Sequence, residues 1–153
     1  MTFFVKDFYS CSFCFLELLT NREEWRGFVK VTCGVDIIEI ERIRESIESI
    51  GEKFLKRVFT DREIEYCESK KGQKYQHYAG RFAAKEAAFK AVSANLEDKY
   101  SVCWKDFEVV NDEQGRPQMN LVNVNSDEIV SIDVSISHCR LYATANVVVL
   151  YKD

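Results

Sequence analysis

Between Val31 and Ile38 the chain alternates with period two: Val31, Cys33, Val35 and Ile37 fall on one side, and Thr32, Gly34, Asp36 and Ile38 on the other. Apolar residues stand on both sides, which predicts a largely buried strand. The period then changes. Ile40, Ile43, Ile47 and Ile50 recur at helical spacing among Glu41, Arg42, Arg44, Glu45 and Glu48, and Gly51 offers a stop. Phe54, Leu55, Val58 and Phe59 predict a second short helix. Thr60 followed by Glu63 has the form of a capping box that opens a third, running to about Ser69. After the polar stretch KKGQK comes a longer helix, from Tyr75 to about Ala94. The last third reads as strands: Phe107, Val109 and Val110, a turn at EQGRP, a return over Met119 to Val124, an alternation of Ile132, Val134 and Ile136 with serines and Asp133, and a valine-rich run from Ala143 to Tyr151. These strands predict a β-meander. Helices followed by antiparallel strands make the fold class α+β.

The chain has 153 residues, about one domain, and a chain of that size buries roughly 70% of its unfolded surface without needing staples. Residues 1–30 stand apart as an N-terminal extension of uncertain structure. Their apolar segment FYSCSFCFLELL follows Asp7, contains Glu17 and lacks a small-residue cleavage site, which argues against a signal peptide. Residues 31–153 form the expected domain. No apolar run approaches the ~20 residues of a membrane span, and the expectation is a cytoplasmic protein without a membrane partner. A net charge of −4 argues against a broad nucleic-acid-binding face, which works by neutralising many phosphates. The six cysteines are scattered, and the one CxxC, Cys11 to Cys14, has no second pair and no nearby histidine; ordinary reduced thiols are expected.

Candidate chemistry concentrates in GRFAAKEAAFKAV, residues 80–92. Glu86 and Lys90 are four apart and share a helix face with Phe82, which also describes a common solvated ion pair. The alanines around them allow close approach by strands or another chain. Asp36 is an acid inside a hydrophobic strand, costly unless paired or bound to a metal; the alternative is that it caps the helix that follows. Asp36 and Glu86, with phosphate oxygens and water, would make the hard-oxygen shell that Mg²⁺ prefers. Arg81, Lys85, Lys90 and His138 would supply anion contacts, which points to a phosphate-bearing substrate. His77 sits in no motif and is read as structural.

Five segments in order, GVDIIEIERI, FTDRE, GRFAAKEAAFKAV, DEQGRP and VSISHCRLYATANVVV, resemble the holo-acyl-carrier-protein synthases, the small bacterial type of 4′-phosphopantetheinyl transferase. The likeness covers about Val31 to Leu150. It implies a homotrimer with active sites between subunits, and an enzyme that moves phosphopantetheine from coenzyme A to a serine of acyl carrier protein for fatty acid biosynthesis, releasing adenosine 3′,5′-bisphosphate. By the same resemblance Asp36 and Glu86 are Mg²⁺ ligands and Lys90 reaches the pyrophosphate, these three forming the catalytic set. Arg81 and His138 match positions used around the coenzyme A phosphates. Arg42 matches a position that meets the carrier, and Arg44 beside it is expected to share that docking. The chain departs from the family pattern at Thr32, where a glycine is usual, and at Ser93 to Leu96, where a glycine-rich loop is usual. The missing loop glycines favour a rival, a non-catalytic coenzyme A or carrier-protein binding relative; Asp36, Glu86 and Lys90 favour the enzyme.

Overall fold

The computed structural model describes residues 29–96, 98, 101–124 and 127–152. The expectations for residues 1–28, including the Cys11/Cys14 pair, lie outside the described residues. Lys30–Lys152 forms one compact unit. Its elements are β1 (Lys30–Glu39), α1 (Ile40–Ile50), α2 (Glu52–Val58), α3 (Asp61–Ser69), α4 (Lys74–Ser93), β2 (Phe107–Asn111), β3 (Pro117–Leu121), β4 (Ile129–His138) and β5 (Tyr142–Tyr151). A 3-10 turn at Trp104–Asp106 precedes β2. Among the described residues no helix is long and apolar enough to cross a membrane.

Local signals carried the helices well. The isoleucines of α1 bury Ile40, Ile43 and Ile47, and Gly51 closes the helix at φ 68°, a conformation that costs glycine little. The capping box forms as expected. Thr60 N–H donates to Glu63 Oε2 at 2.8 Å, and Glu63 N–H returns a weak 3.4 Å bond to Thr60 Oγ1.

The strands do not form one meander. β1, β5 and β4 make an antiparallel three-stranded sheet in that order, while β2 and β3 pair separately. Sequence-adjacent pairing held for β2–β3 and β4–β5. The pairing of the first strand with the last, Lys30 against Tyr151 through Glu39 against Tyr142, has no local signature. The return strand begins at Pro117, the first residue of the strand, where the missing N–H is tolerated.

α4 packs on the inner face of this sheet. The contact at β1 is close enough that a Cβ at Gly34 would run into the Ala87 carbonyl oxygen and stand 2.9 Å from the Ala91 amide nitrogen. Thr32 fits the same contact by donating its hydroxyl to Ala91 O at 2.7 Å. The alanines of α4 are thus what lets strand and helix backbones meet. β5 supplies the other half of this layer with Ala143, Ala145, Val147 and Val149, all buried.

The expectation that β1 is buried on both faces is corrected. Gly34 and Ile38 face the helix, but Val31, Val35 and Ile37 are 58%, 59% and 66% exposed. Their neighbour across the sheet, Val148, is 42% exposed. The strand is apolar on both sides, yet among the described residues only one side is covered.

Candidate active site

Asp36 lies mid-strand in β1 and does not cap α1; the residue before that helix is Glu39, with no side-chain cap. Its register faces α4, and Lys90 meets it there: Lys90 Nζ donates to Asp36 Oδ1 at 2.9 Å and to Val35 O at 2.8 Å. The carboxylate is 18% exposed and the lysine 49%. Glu86, one turn before Lys90, is not bonded to it. Glu86 Oε1 accepts instead from the indole Nε1–H of Trp104. The i,i+4 surface pair that the spacing allows therefore does not form; each partner turns to another element.

Asp36 and Glu86 line the same hollow of 340 Å³, together with Arg42, Phe82 and Trp104. A second hollow, of 550 Å³, adjoins Glu86 and Trp104 and is lined also by Arg57, Phe89, Val102 and Cys103. Two carboxylates on one concavity are the oxygen donors that a small divalent cation takes from protein, the rest of its shell coming from water and phosphate. Among the described residues no third His, Cys, Asp or Glu joins them. The donor set fits such an ion without enclosing it.

Arg81 points elsewhere. It is 4% exposed, lies with its guanidinium carbon 3.8 Å from the Tyr66 ring centroid, and donates from one terminal nitrogen to Asn111 Oδ1 at 2.6 Å. Its buried Nε has no hydrogen-bond partner among the described residues. With Arg62 and Lys70 it lines a hollow of 430 Å³ that Asp112 and Glu113 line as well, so three cations stand against two carboxylates there. His138, at the end of β4, is exposed, and its ring centroid lies 6.4 Å from that of His77. His77 is held below the ordinary histidine range, first by burial and then by the Arg81 and Lys70 charges. The structure thus gathers Asp36, Glu86 and Lys90 in one place and puts Arg81 in another, with His138 at neither of these hollows in the single chain.

Lys85 is not an anion contact. It is fully buried, paired with Glu63 at 2.7 Å, and donates to Trp104 O at 2.9 Å and Phe107 O at 2.6 Å. Burial pushes its ammonium below the ordinary lysine range, against the pull of Glu63. Glu63 also accepts from Val109 N–H at 2.9 Å. Of the docking candidates, Arg42 lines the hollow of Asp36 and Glu86, whereas Arg44 is tied to Glu48 at 2.9 Å and lies over the Tyr75 ring. Trp104 was missed by sequence reasoning; an aromatic residue in a loop gives no sign of which carboxylate it reaches.

A family model described as the 4′-phosphopantetheinyl transferase superfamily matches residues 32–146. The chain belongs to this superfamily. Among curated members it is 42% identical over 130 residues to the holo-[acyl-carrier-protein] synthase of Ruminiclostridium cellulolyticum, covering 82% of this chain and 96% of that one. Two solved synthase structures are similar over most of the chain. One is a holo-(acyl-carrier-protein) synthase from Bacillus anthracis in complex with CoA (3′,5′-ADP), 36% identical with TM-score 0.65, covering 79% of this chain and 96% of that chain. The other is the Helicobacter pylori holo-[acyl-carrier-protein] synthase with coenzyme A, 32% identical with TM-score 0.67, covering 76% of this chain and 98% of that chain. The helix that carries Glu86 and Lys90 falls within the superfamily match, as does the strand that carries Asp36 from its third residue onward.

Proposed function

We propose that this chain is a holo-acyl-carrier-protein synthase: it transfers 4′-phosphopantetheine from coenzyme A to a serine of apo-acyl carrier protein and releases adenosine 3′,5′-bisphosphate. The observation that carries this reading is the convergence of Asp36 and Glu86 on one hollow with Lys90 bonded at its edge, inside a family match that spans most of the chain.

Attack of a serine hydroxyl on the β-phosphorus builds negative charge on the pyrophosphate, so the site must neutralise charge and accept a proton. Asp36 and Glu86 would hold Mg²⁺, which would supply Lewis-acid charge neutralisation. Lys90, half-exposed on a flexible stem, reaches the pyrophosphate oxygens. Glu86, through one water, takes the serine proton. Arg81 and His138 hold coenzyme A phosphates; the place of Arg81 beside Arg62 and Lys70 in the lining of one hollow supports this for Arg81.

The assembly is a homotrimer. What supports this is the apolar outer face of β1 and β5, where Val31, Val35, Ile37 and Val148 form a stripe that a second copy would cover. Such packing would also bring His138 of one copy to the Asp36 and Glu86 of its neighbour. Carrier docking falls to Arg42 and Arg44 on α1. The product serves fatty acid biosynthesis in the cytoplasm.

The decisive experiment incubates the full chain with apo-carrier protein, coenzyme A and Mg²⁺ and weighs the carrier. A gain equal to one phosphopantetheine is expected, and none without Mg²⁺. An unchanged carrier alongside measurable coenzyme A binding would instead support a non-catalytic relative.

A further inference from the structure

We propose that Trp104 is a positioning residue for Glu86: its indole N–H holds one carboxylate oxygen so that the other is presented to the cation site. The inference rests on the reading of Glu86 as a cation ligand.

Trp104 Nε1 donates to Glu86 Oε1, while Oε2 takes no bond among the described residues. A glutamate on a helix has three side-chain torsions to settle before it can ligate, and ordering them on binding weakens affinity. A donor fixed in advance removes that cost, which is the general role of hydrogen-bond partners behind metal ligands. The donor here is itself fixed from several directions. The Trp104 carbonyl accepts from Lys85 Nζ, and Lys85 is locked by Glu63. Cys103 N–H donates to Asp106 Oδ2 at 2.7 Å, and Asn123 donates to Asp106 Oδ1 at 3.0 Å, closing the turn that begins at Trp104. The ring lies 6.0 Å from Phe82 and 5.8 Å from the Arg57 guanidinium.

Lys85 and Glu86 are consecutive, so they leave the helix in different directions and hold the same tryptophan by its backbone and by its ring. This explains why a fully buried lysine stands beside the candidate ligand. Its ammonium ties the Trp104 turn to the helix from which Glu86 projects.

The chain has two tryptophans, Trp25 and Trp104, so a full-length Trp25→Phe protein reports on Trp104 alone. Its indole emission is expected to change saturably as Mn²⁺ is added, and Glu86→Gln in that background is expected to abolish the change. Mn²⁺ binding is then measured calorimetrically in Trp104→Phe, which keeps an aromatic ring and loses the donor. The dissociation constant should rise about tenfold, with kcat at saturating cation within about threefold of the parent. An unchanged constant in Trp104→Phe, with weakened binding in Glu86→Gln, overturns the positioning role alone. A large loss of kcat at saturating cation also overturns it, since that marks general damage to the site. Unchanged binding in both variants instead removes Glu86 as a ligand. Should Phe at 104 prevent folding, the emission titration still decides, and no response to Mn²⁺ in the Trp25→Phe protein overturns the proposal.

Discussion

Of the lysine–carboxylate pairs that α4 carries, those at Lys85 and at Lys90 could hardly differ more. Lys85 and Glu63 are both fully buried at 2.7 Å, and the further bonds of their side chains all go to backbone groups, those of Trp104, Phe107, Val109 and the Thr60 cap. Lys90 and Asp36 sit at 2.9 Å with the lysine half-exposed and the carboxylate at the rim of a hollow. The first pair is saturated and enclosed, and losing one partner leaves a charge with no water to receive it. The second keeps solvent access and spare coordination, so its members can exchange one partner for another. Chemistry needs the second kind; the first holds the frame in which it happens.

The sharpest break in that contrast comes from the ligands. Asp36→Asn and Glu86→Gln should each lower Mg²⁺-dependent transfer by about a thousandfold or more, a loss of ~4 kcal/mol in the transition state. Cooperative urea unfolding should be retained, because neither residue belongs to the saturated pair. Turnover near the parental rate at high Mg²⁺ would dissolve the distinction.

Lys85→Met tests the other side. Leaving Glu63 charged and buried should cost about 3–5 kcal/mol of stability, read as a lower urea midpoint. Adding Glu63→Gln removes the orphaned charge and should return part of the loss. Lys90→Met, by contrast, should change stability by less than about 1 kcal/mol, since its pair is half in water. It should still lower kcat markedly, by ~100-fold for the loss of a cation from the transition state.

The smallest effect concerns the arginines of α1, where the same distinction recurs. Arg42 lines the hollow of Asp36 and Glu86, while the Arg44 guanidinium is held by Glu48 and Glu41. Arg42→Glu should raise KM for the carrier about tenfold and leave KM for coenzyme A unchanged, with the effect shrinking at high salt. Arg44→Glu should do less than a third of that. Equal effects would mean that pairing on the helix surface does not predispose an arginine against docking.

What the sequence made legible follows from what is local. The capping box at Thr60 and Glu63, the stop at Gly51 and the change of period at Ile40 each depend on neighbours within a few positions, and each formed. The convergence of Asp36 with Glu86 and Lys90 came from a whole-chain resemblance, because nothing near Asp36 announces which helix it faces. Lys85 was misread for a physical reason. α4 is covered by alanine on most sides, so its pattern does not distinguish an inward lysine from an outward one. β1 was misread for a similar reason. Apolar side chains on both faces describe a strand buried in its own chain and one whose outer face remains open. Trp104 left no trace at all, since its partner lies in another element.

The pairing of β1 with β5 has a consequence for the order in which the protein is made. β1 is the first strand of the described unit to leave the ribosome, and its only hydrogen-bonded neighbour is the last. The helices can form as they are synthesised, but Asp36 waits in a strand without its ladder until Tyr142–Tyr151 has emerged. A nascent chain stopped a dozen residues short would already contain Asp36, Glu86 and Lys90, and would still lack the sheet that holds Asp36 against the helix. The candidate site is therefore completed only once β5 has been made, and β1 stays an unpaired ribbon until then.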